Sequence, residues 1–293
     1  MFRGIYTAII TPFTQDGALD ERAMRKLVDF QIDNGVDGIV PCGTTGESPT
    51  LSDEEAEKVI EIVVSQADKR VKVIAGTGTN STAKSIKKSI RAQELGADGL
   101  LLVNPYYNKP TQKGLYLHFK SIADSVNVPC IIYNIKGRTA VNVETKTLVN
   151  LMNDCENIVC VKEASGDINQ MKDVIAGKKE GFTVLSGDDN ITLDLIEAGG
   201  DGIISVASNI APKMMSEMVH SALDGNMKKA RETEQKLSEL FRVEFIETNP
   251  IPIKAMVAMK GMCREVYRLP MCSLEDERHR EEIKKVVTKL GLI

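Results

Sequence analysis

Lys162 is the residue in this chain best suited to covalent chemistry. It stands in Ile158-Val159-Cys160-Val161-Lys162-Glu163, and continuous apolarity of that kind marks a strand buried on both faces. Burial disfavours an ammonium, and a neutral amine attacks a ketone or aldehyde to form an imine. Strand alternation puts Cys160 and Lys162 on one face, so they point the same way. From position alone, a lysine that opens a loop and reaches out to solvent is an equal alternative. Tyr133 ends a neighbouring apolar run and, with a hydroxyl partner such as Thr44, could carry protons for imine chemistry. Taken singly it also reads as an aromatic at a rim.

Other residues frame a carboxylate-bearing substrate. The turn Gly43-Thr44-Thr45-Gly46-Glu47-Ser48 is rich in glycine and hydroxyls, and its amides could cradle an anion. Its plainer reading is a tight turn that needs glycine dihedrals. Arg138, in Lys136-Gly137-Arg138-Thr139, could clamp a carboxylate bidentately, or could be a surface cation. Gly76-Thr77-Gly78 begins like a dinucleotide fingerprint. Ser81 takes the third glycine's place and no acidic residue ends the next strand, so a nicotinamide cofactor is rejected. Asp188-Asp189 follows Gly187 and reads as helix N-capping, with no acid-base role.

The elements that must position these residues alternate along the chain. Short β-branched runs cover residues 4–13, 38–43, 71–78, 99–106, 129–135, 158–165, 183–188 and 202–208, with stretches of helical period between them. Ser52 and Glu55 make a capping box before a helix near 53–66, and residues 82–94 carry a second helical pattern. Eight strand-helix units predict a (β/α)8 TIM barrel of the α/β class, with a doubly wound open sheet as the alternative. After about Gly225 the strand signal stops. Helical segments around 227–241, 252–260 and 273–290 predict a C-terminal helical appendage, so the expected division is 1–224 barrel and 225–293 helical region. In such barrels the site lies at the C-terminal ends of the strands, where Lys162, Tyr133, Thr44 and Gly187 all fall.

Composition narrows the partners. A net charge of −4 and a pI near 5.6 offer no pull on nucleic acid or anionic lipid. The apolar N-terminal stretch is too short to span a membrane and lacks a cleavage pattern, so a cytoplasmic protein is expected. Cys42, Cys130, Cys155, Cys160, Cys263 and Cys272 show no paired spacing and read as reduced packing residues. His118, His220 and His279 lie far apart, so no metal is expected.

Together, GTTGES at 43–48, NPYYNKP at 104–110, Tyr133-Asn134, GRT at 137–139 and KEASGD at 162–167 resemble the dihydrodipicolinate synthase family. SGDD at 186–189, GGDGIISVASN at 199–209, ETNPIPIK at 247–254 and RLP at 268–270 carry the resemblance over essentially the whole chain. It implies a lyase that condenses pyruvate with aspartate semialdehyde for diaminopimelate and lysine synthesis, without a cofactor. Lys162 would carry the pyruvate imine. Tyr133, Thr44 and Tyr107 would form a proton relay, with Tyr107 arriving across a subunit interface of a homotetramer, a dimer of dimers. Thr45 would hold the pyruvate carboxylate and Arg138 the semialdehyde, with Gly187 and Ile204 also at the substrate.

The chain departs from the family pattern in two places. Family members commonly have proline just before the GRT glycine. Lys136 stands there here, which predicts a looser loop beside Arg138. Lysine-inhibited relatives tend to carry histidines and a glutamate where this chain has Asp53, Ala56 and Lys84, although Ser48, Asn80 and Tyr106 remain. Lys84 would repel a lysine ammonium, so weak or absent feedback inhibition is expected. The rival activities are a sibling imine-forming lyase of N-acetylneuraminate or 2-keto-3-deoxy sugar acids, and a binding protein that has lost catalysis.

Overall fold

A computed structural model describes residues 2–293. Eight parallel strands close on themselves in sequence order: β1 Gly4–Ala8, β2 Gly38–Val40, β3 Lys72–Gly76, β4 Gly99–Val103, β5 Cys130–Asn134, β6 Ile158–Glu163, β7 Thr183–Ser186 and β8 Gly202–Ser205. Pairing of Gly4 with Gly202 and Thr7 with Ser205 joins β1 to β8. The closed barrel is therefore correct and the open sheet is not. Each strand stops short of its apolar run. β2 ends at Val40 because Pro41 has no amide to give the ladder and Cys42 turns into left-handed backbone at φ 57°.

The expected helices form with small shifts at their ends. They are α1 Glu21–Asp33, α2 Asp53–Ala67, α3 Thr82–Glu94, α4 Gln112–Ala123, α5 Lys136–Thr139, α6 Thr145–Asp154, α7 Ile168–Gly177, α8 Thr192–Glu197, α9 Pro212–Leu223, α10 Met227–Val243, α11 Ile251–Met259 and α12 Glu277–Lys289. The capping box is present, with Ser52 Oγ accepting the Glu55 amide and Glu55 accepting the Ser52 amide. None of the described helices is long and apolar enough to cross a membrane.

Strand alternation divides the core into two layers. Tyr6, Ala8, Val40, Ile74, Leu101, Ile131, Tyr133, Cys160, Leu185 and Ile204 fill the inside of the barrel. Ile5, Ile39, Val73, Leu100, Ile132, Val161, Val184 and Ile203 face the helices. Cys160 belongs to the inner set, so Lys162, two residues on, is carried on the inward face.

The lower end of the barrel repeats one device. The Asp-Gly pairs that open β2, β4 and β8 place Asp37, Asp98 and Asp201 beside the preceding strands. Their carboxylates accept the amides of Ile5, Val73 and Val184 at 2.8, 2.8 and 2.9 Å. Each aspartate satisfies a donor at a strand's beginning, where the ladder offers none.

The last three helices pack on the barrel, with α10 against α9 and α12. From α11, the buried Lys254 Nζ reaches Glu47 Oε1 at 2.6 Å. Glu47 sits in left-handed backbone at φ 52°. The buried pair therefore pins the 43–48 turn to the C-terminal region, and removing one partner would strand the other charge.

Candidate active site

Lys162 lies at the end of β6, 4% exposed, at the bottom of a cleft in the upper mouth of the barrel. Its Nζ rests 4.2 Å from the centre of the Tyr133 ring, the residue it pairs with on β5. Burial depresses its basicity to about 8, against the opposing pull of the Asp188 and Asp189 carboxylates. No carboxylate among the described residues is within ion-pair distance, so a useful share of the amine is neutral near physiological pH. The alternative of a lysine reaching bulk solvent is excluded. Gly187 makes the amine's position possible, because a Cβ there would lie 2.5 Å from Ala164 Cβ and 3.1 Å from Lys162 Cε.

Around this amine the cleft is lined by Gly43, Thr44, Thr45, Tyr133, Arg138, Gly187, Asp188, Val206, Phe245 and Asn249, among others, and holds about 430 Å³ of empty space including its open mouth. The Thr44 hydroxyl lies beside the buried Tyr133 phenol, whose ionisation is pushed up by burial, so the phenol holds its proton ready to donate. Thr45 is fixed by Asn249, whose Nδ2 donates to Oγ1 at 3.0 Å, and Arg138 donates to the Asn249 carbonyl at 3.2 Å. The turn's left-handed backbone falls on Cys42 and Glu47, not on Gly43 or Gly46. The reading that this turn needs glycine dihedrals is thus corrected. A Cβ on Gly43 would meet nothing within 4 Å, so its lack of a side chain leaves the cleft wall open.

Behind the cleft a buried polar chain fixes the ends of β4, β5 and β6. Asn104 donates to Asn134 at 2.9 Å, and Asn134 donates to both Glu163 oxygens at 3.2 Å. Glu163 also accepts the Ser165 amide at 2.8 Å. The sequence placed these side chains at strand ends but could not show that they bond to one another.

Several sequence expectations land differently. Lys136 does not loosen the Arg138 loop: residues 136–139 wind into α5, and the Thr139 hydroxyl bonds the Ile135 carbonyl at 2.7 Å. Asp188 makes no side-chain cap on the turn after it, and Asp189 accepts instead from Ser205 Oγ, Val206 N and Ala207 N at 2.6, 2.9 and 3.2 Å. It ties the loop after β7 to the loop after β8, so the N-capping assignment is corrected. Ile204 is wholly buried in the inner layer, and Val206, two residues on, lines the cleft in its place. Tyr107, at φ 73°, is 91% exposed and does not line the cleft of its own chain. Phe245 and Asn249, from the C-terminal region, also line it; Asn249 lies in the ETNPIPIK segment, but nothing in local periodicity directs either side chain to the barrel mouth.

A second cleft opens beside the first and shares Thr44 and Arg138 with it. Ser48, Asn80, Lys84, Lys88 and Tyr106 line it. Lys84 and Lys88 reach Asp53 at 3.7 and 3.6 Å, so one carboxylate faces two cations.

Comparison with known proteins agrees with this geometry. The pattern of the dihydrodipicolinate synthetase family matches residues 1–290. A relative from Syntrophus aciditrophicus named 4-hydroxy-tetrahydrodipicolinate synthase is 53% identical over 293 residues, covering 100% of both chains. A crystal structure of dihydrodipicolinate synthase from Aquifex aeolicus superposes with a TM-score of 0.97 at 47% identity, covering 99% of each chain. The chloride-inhibited dihydrodipicolinate synthase from Acinetobacter baumannii, solved in complex with pyruvate, gives 0.97 at 42% identity, covering 100% of both chains.

Proposed function

The chain belongs to the dihydrodipicolinate synthetase family, and from that premise we propose that it condenses pyruvate with L-aspartate 4-semialdehyde through an imine on Lys162. The reaction is a lyase reaction that yields 4-hydroxy-tetrahydrodipicolinate for diaminopimelate and lysine synthesis. The observation that carries the residue assignment is the buried amine of Lys162 against Tyr133, its basicity lowered to about 8.

The steps follow from the groups in the cleft. The neutral amine adds to the pyruvate carbonyl carbon, and loss of water leaves an iminium. This is a stronger electron sink than the ketone, so the methyl group loses a proton to give an enamine, and no external cofactor is called for. The enamine carbon then bonds to the aldehyde carbon of the second substrate, whose oxygen takes a proton, and the second substrate's own amino group adds to the iminium carbon, closing the ring and breaking the bond to Lys162, whose amine leaves free. Tyr133 and Thr44 carry these protons. Thr45, held by Asn249, receives the pyruvate carboxylate, and Arg138 receives the carboxylate of the semialdehyde. Gly187 and Val206 shape the wall beside the bound ketoacid, and Ile204 packs beneath them in the inner layer.

Tyr107 completes the relay from a neighbouring subunit in a homotetramer, a dimer of dimers. Its exposure on the isolated chain supports a role at another subunit's cleft. Residues 1–224 form the barrel and 225–293 the helical region that supplies Phe245, Asn249 and Lys254. The enzyme works in the cytoplasm on small-molecule substrates.

Borohydride reduction in the presence of pyruvate tests the assignment. The intact protein should gain one reduced pyruvate adduct, mapped to Lys162, and Lys162→Ala should gain none while turnover falls about 10³-fold or more. An adduct on another lysine, or an unmodified active enzyme, would overturn it. Assays with aspartate semialdehyde against sugar-acid aldehydes separate this reaction from its sibling lyases.

A further inference from the structure

Helix α10 ends at Val243, and the next residue, Glu244, is wholly buried with no hydrogen-bond donor on either carboxyl oxygen. The group it faces is a second carboxyl, that of the equally buried Asp189. Asp188 adds a further negative charge nearby, and no cation is among the groups that bear on Glu244. Two bare carboxylates cannot both ionise in contact inside a protein. Asp189 already accepts three hydrogen bonds, from Ser205 Oγ on Oδ1 and from the Val206 and Ala207 amides on Oδ2. It therefore keeps the charge, and Glu244, which has no donor, keeps the proton. Oδ1 of Asp189 retains an unfilled lone pair to accept it. Burial and the two aspartate charges hold the Glu244 acid well above the usual carboxyl range.

We propose that Glu244 is a positioning residue for the imine chemistry: as a neutral acid it donates a hydrogen bond to the Asp189 carboxylate and locks the loops after β7 and β8 around Lys162. The inference rests on the Lys162 reading for its effect on catalysis, but not for the shared proton. Those loops contribute Gly187, Asp188 and Val206 to the cleft wall. When Glu244 ionises, two carboxylates repel across the contact and the loops lose their tie. In the window between the ordinary carboxyl value and the raised one, the folded chain holds one more proton than the unfolded chain. Stability contributed by the pair is therefore full at acid pH and falls as pH rises through that window. Glutamine would donate the same hydrogen bond at every pH, and leucine would donate none.

The experiment uses full-length E244Q and E244L, with two readouts: the thermal midpoint against pH, and the rate of borohydride-trapped pyruvate imine against pH. E244Q should remove part of the midpoint's decline with rising pH and form imine faster than the wild type on the alkaline side. E244L should form imine about tenfold more slowly near neutral pH, the loss expected for one hydrogen bond to a charged group. A purely structural Glu244 would shift the midpoint equally at all pH values and leave the imine profile unmoved, which overturns the proposal. So would E244Q behaving as E244L does. Should E244L not fold, the E244Q profile decides alone. Failure of the wild type to trap pyruvate would instead defeat the Lys162 assignment, and the midpoint series would still test the shared proton.

Discussion

The two ends of the barrel place their charged groups differently: the lower aspartates are bonded and open to solvent, whereas the upper end buries groups without partners beside others that are bonded. At the lower end Asp37, Asp98 and Asp201 each accept a backbone amide from the strand before them, and Asp37 and Asp201 also take a partner in His220 and Lys178. At the upper end Lys162 rests on an aromatic ring without a carboxylate, Asn249 Oδ1 has no donor, and Glu244 has none on either oxygen. Satisfied groups stabilise a fold. Unsatisfied ones cost it about 1–3 kcal/mol each and persist where they have a use. The contrast separates the end that closes the cylinder from the end that does chemistry.

Substitutions at each end should therefore fail differently. Tyr133→Phe keeps the ring under Lys162 and removes only the proton carrier, so turnover should fall about 10²-fold or more with the thermal midpoint held or raised. Steady-state kinetics beside a melting curve would show it. A midpoint that collapsed with activity would make Tyr133 a packing residue. Asp201→Ala at the lower end should do the reverse. It strands the Val184 amide and frees Lys178, costing about 1–2 kcal/mol of stability, roughly tenfold in the folding equilibrium, while turnover stays within about twofold. Denaturant titration and the same kinetic assay would decide between these.

The upper end should also show its depressed lysine directly. With Lys162 releasing its proton near 8, its neutral share is about a tenth at pH 7 and about half at pH 8. Imine formation with saturating pyruvate should rise about fivefold across that interval and gain about twofold or less above it. Stopped-flow trapping across the range would reveal a flat profile if the amine were not the group that titrates.

How much of this contrast was legible in the sequence depended on periodicity. The inward direction of Lys162 followed from alternation with Cys160, and the strand count followed from eight apolar runs. The limits of the strands were not legible, because Pro41 and the left-handed Cys42 act through backbone geometry that composition does not encode. Asn249 and Glu244 lie more than 50 residues beyond Asp189, and only the packing of α10 and the segment after it brings Asn249 to the cleft and Glu244 to the buried ground behind it. An Asp-Asp pair was legible as a local cap, but its real donors, Val206 and Ala207, come from the next strand's loop. Contacts fixed by tertiary closure leave no periodic trace in the chain.

The smallest effect is expected at the second cleft, which lies between the two extremes. Its residues are neither bonded to strand amides like the lower aspartates nor stripped of partners like Lys162. Asp53 faces Lys84 and Lys88 at 3.7 and 3.6 Å, and Lys84 is about half exposed, so solvent screens much of the interaction. The remaining cationic excess still opposes the ammonium of a free lysine while leaving Ser48, Asn80 and Tyr106 open to other contacts. Low-millimolar lysine should therefore change turnover by less than about twofold, measured at subsaturating pyruvate. Lys84→Glu reverses the local charge and should raise whatever lysine sensitivity exists. If the wild type is already strongly inhibited, the two lysines must swing away from Asp53 on binding, and the charge argument for this cleft fails while that for Lys162 stands.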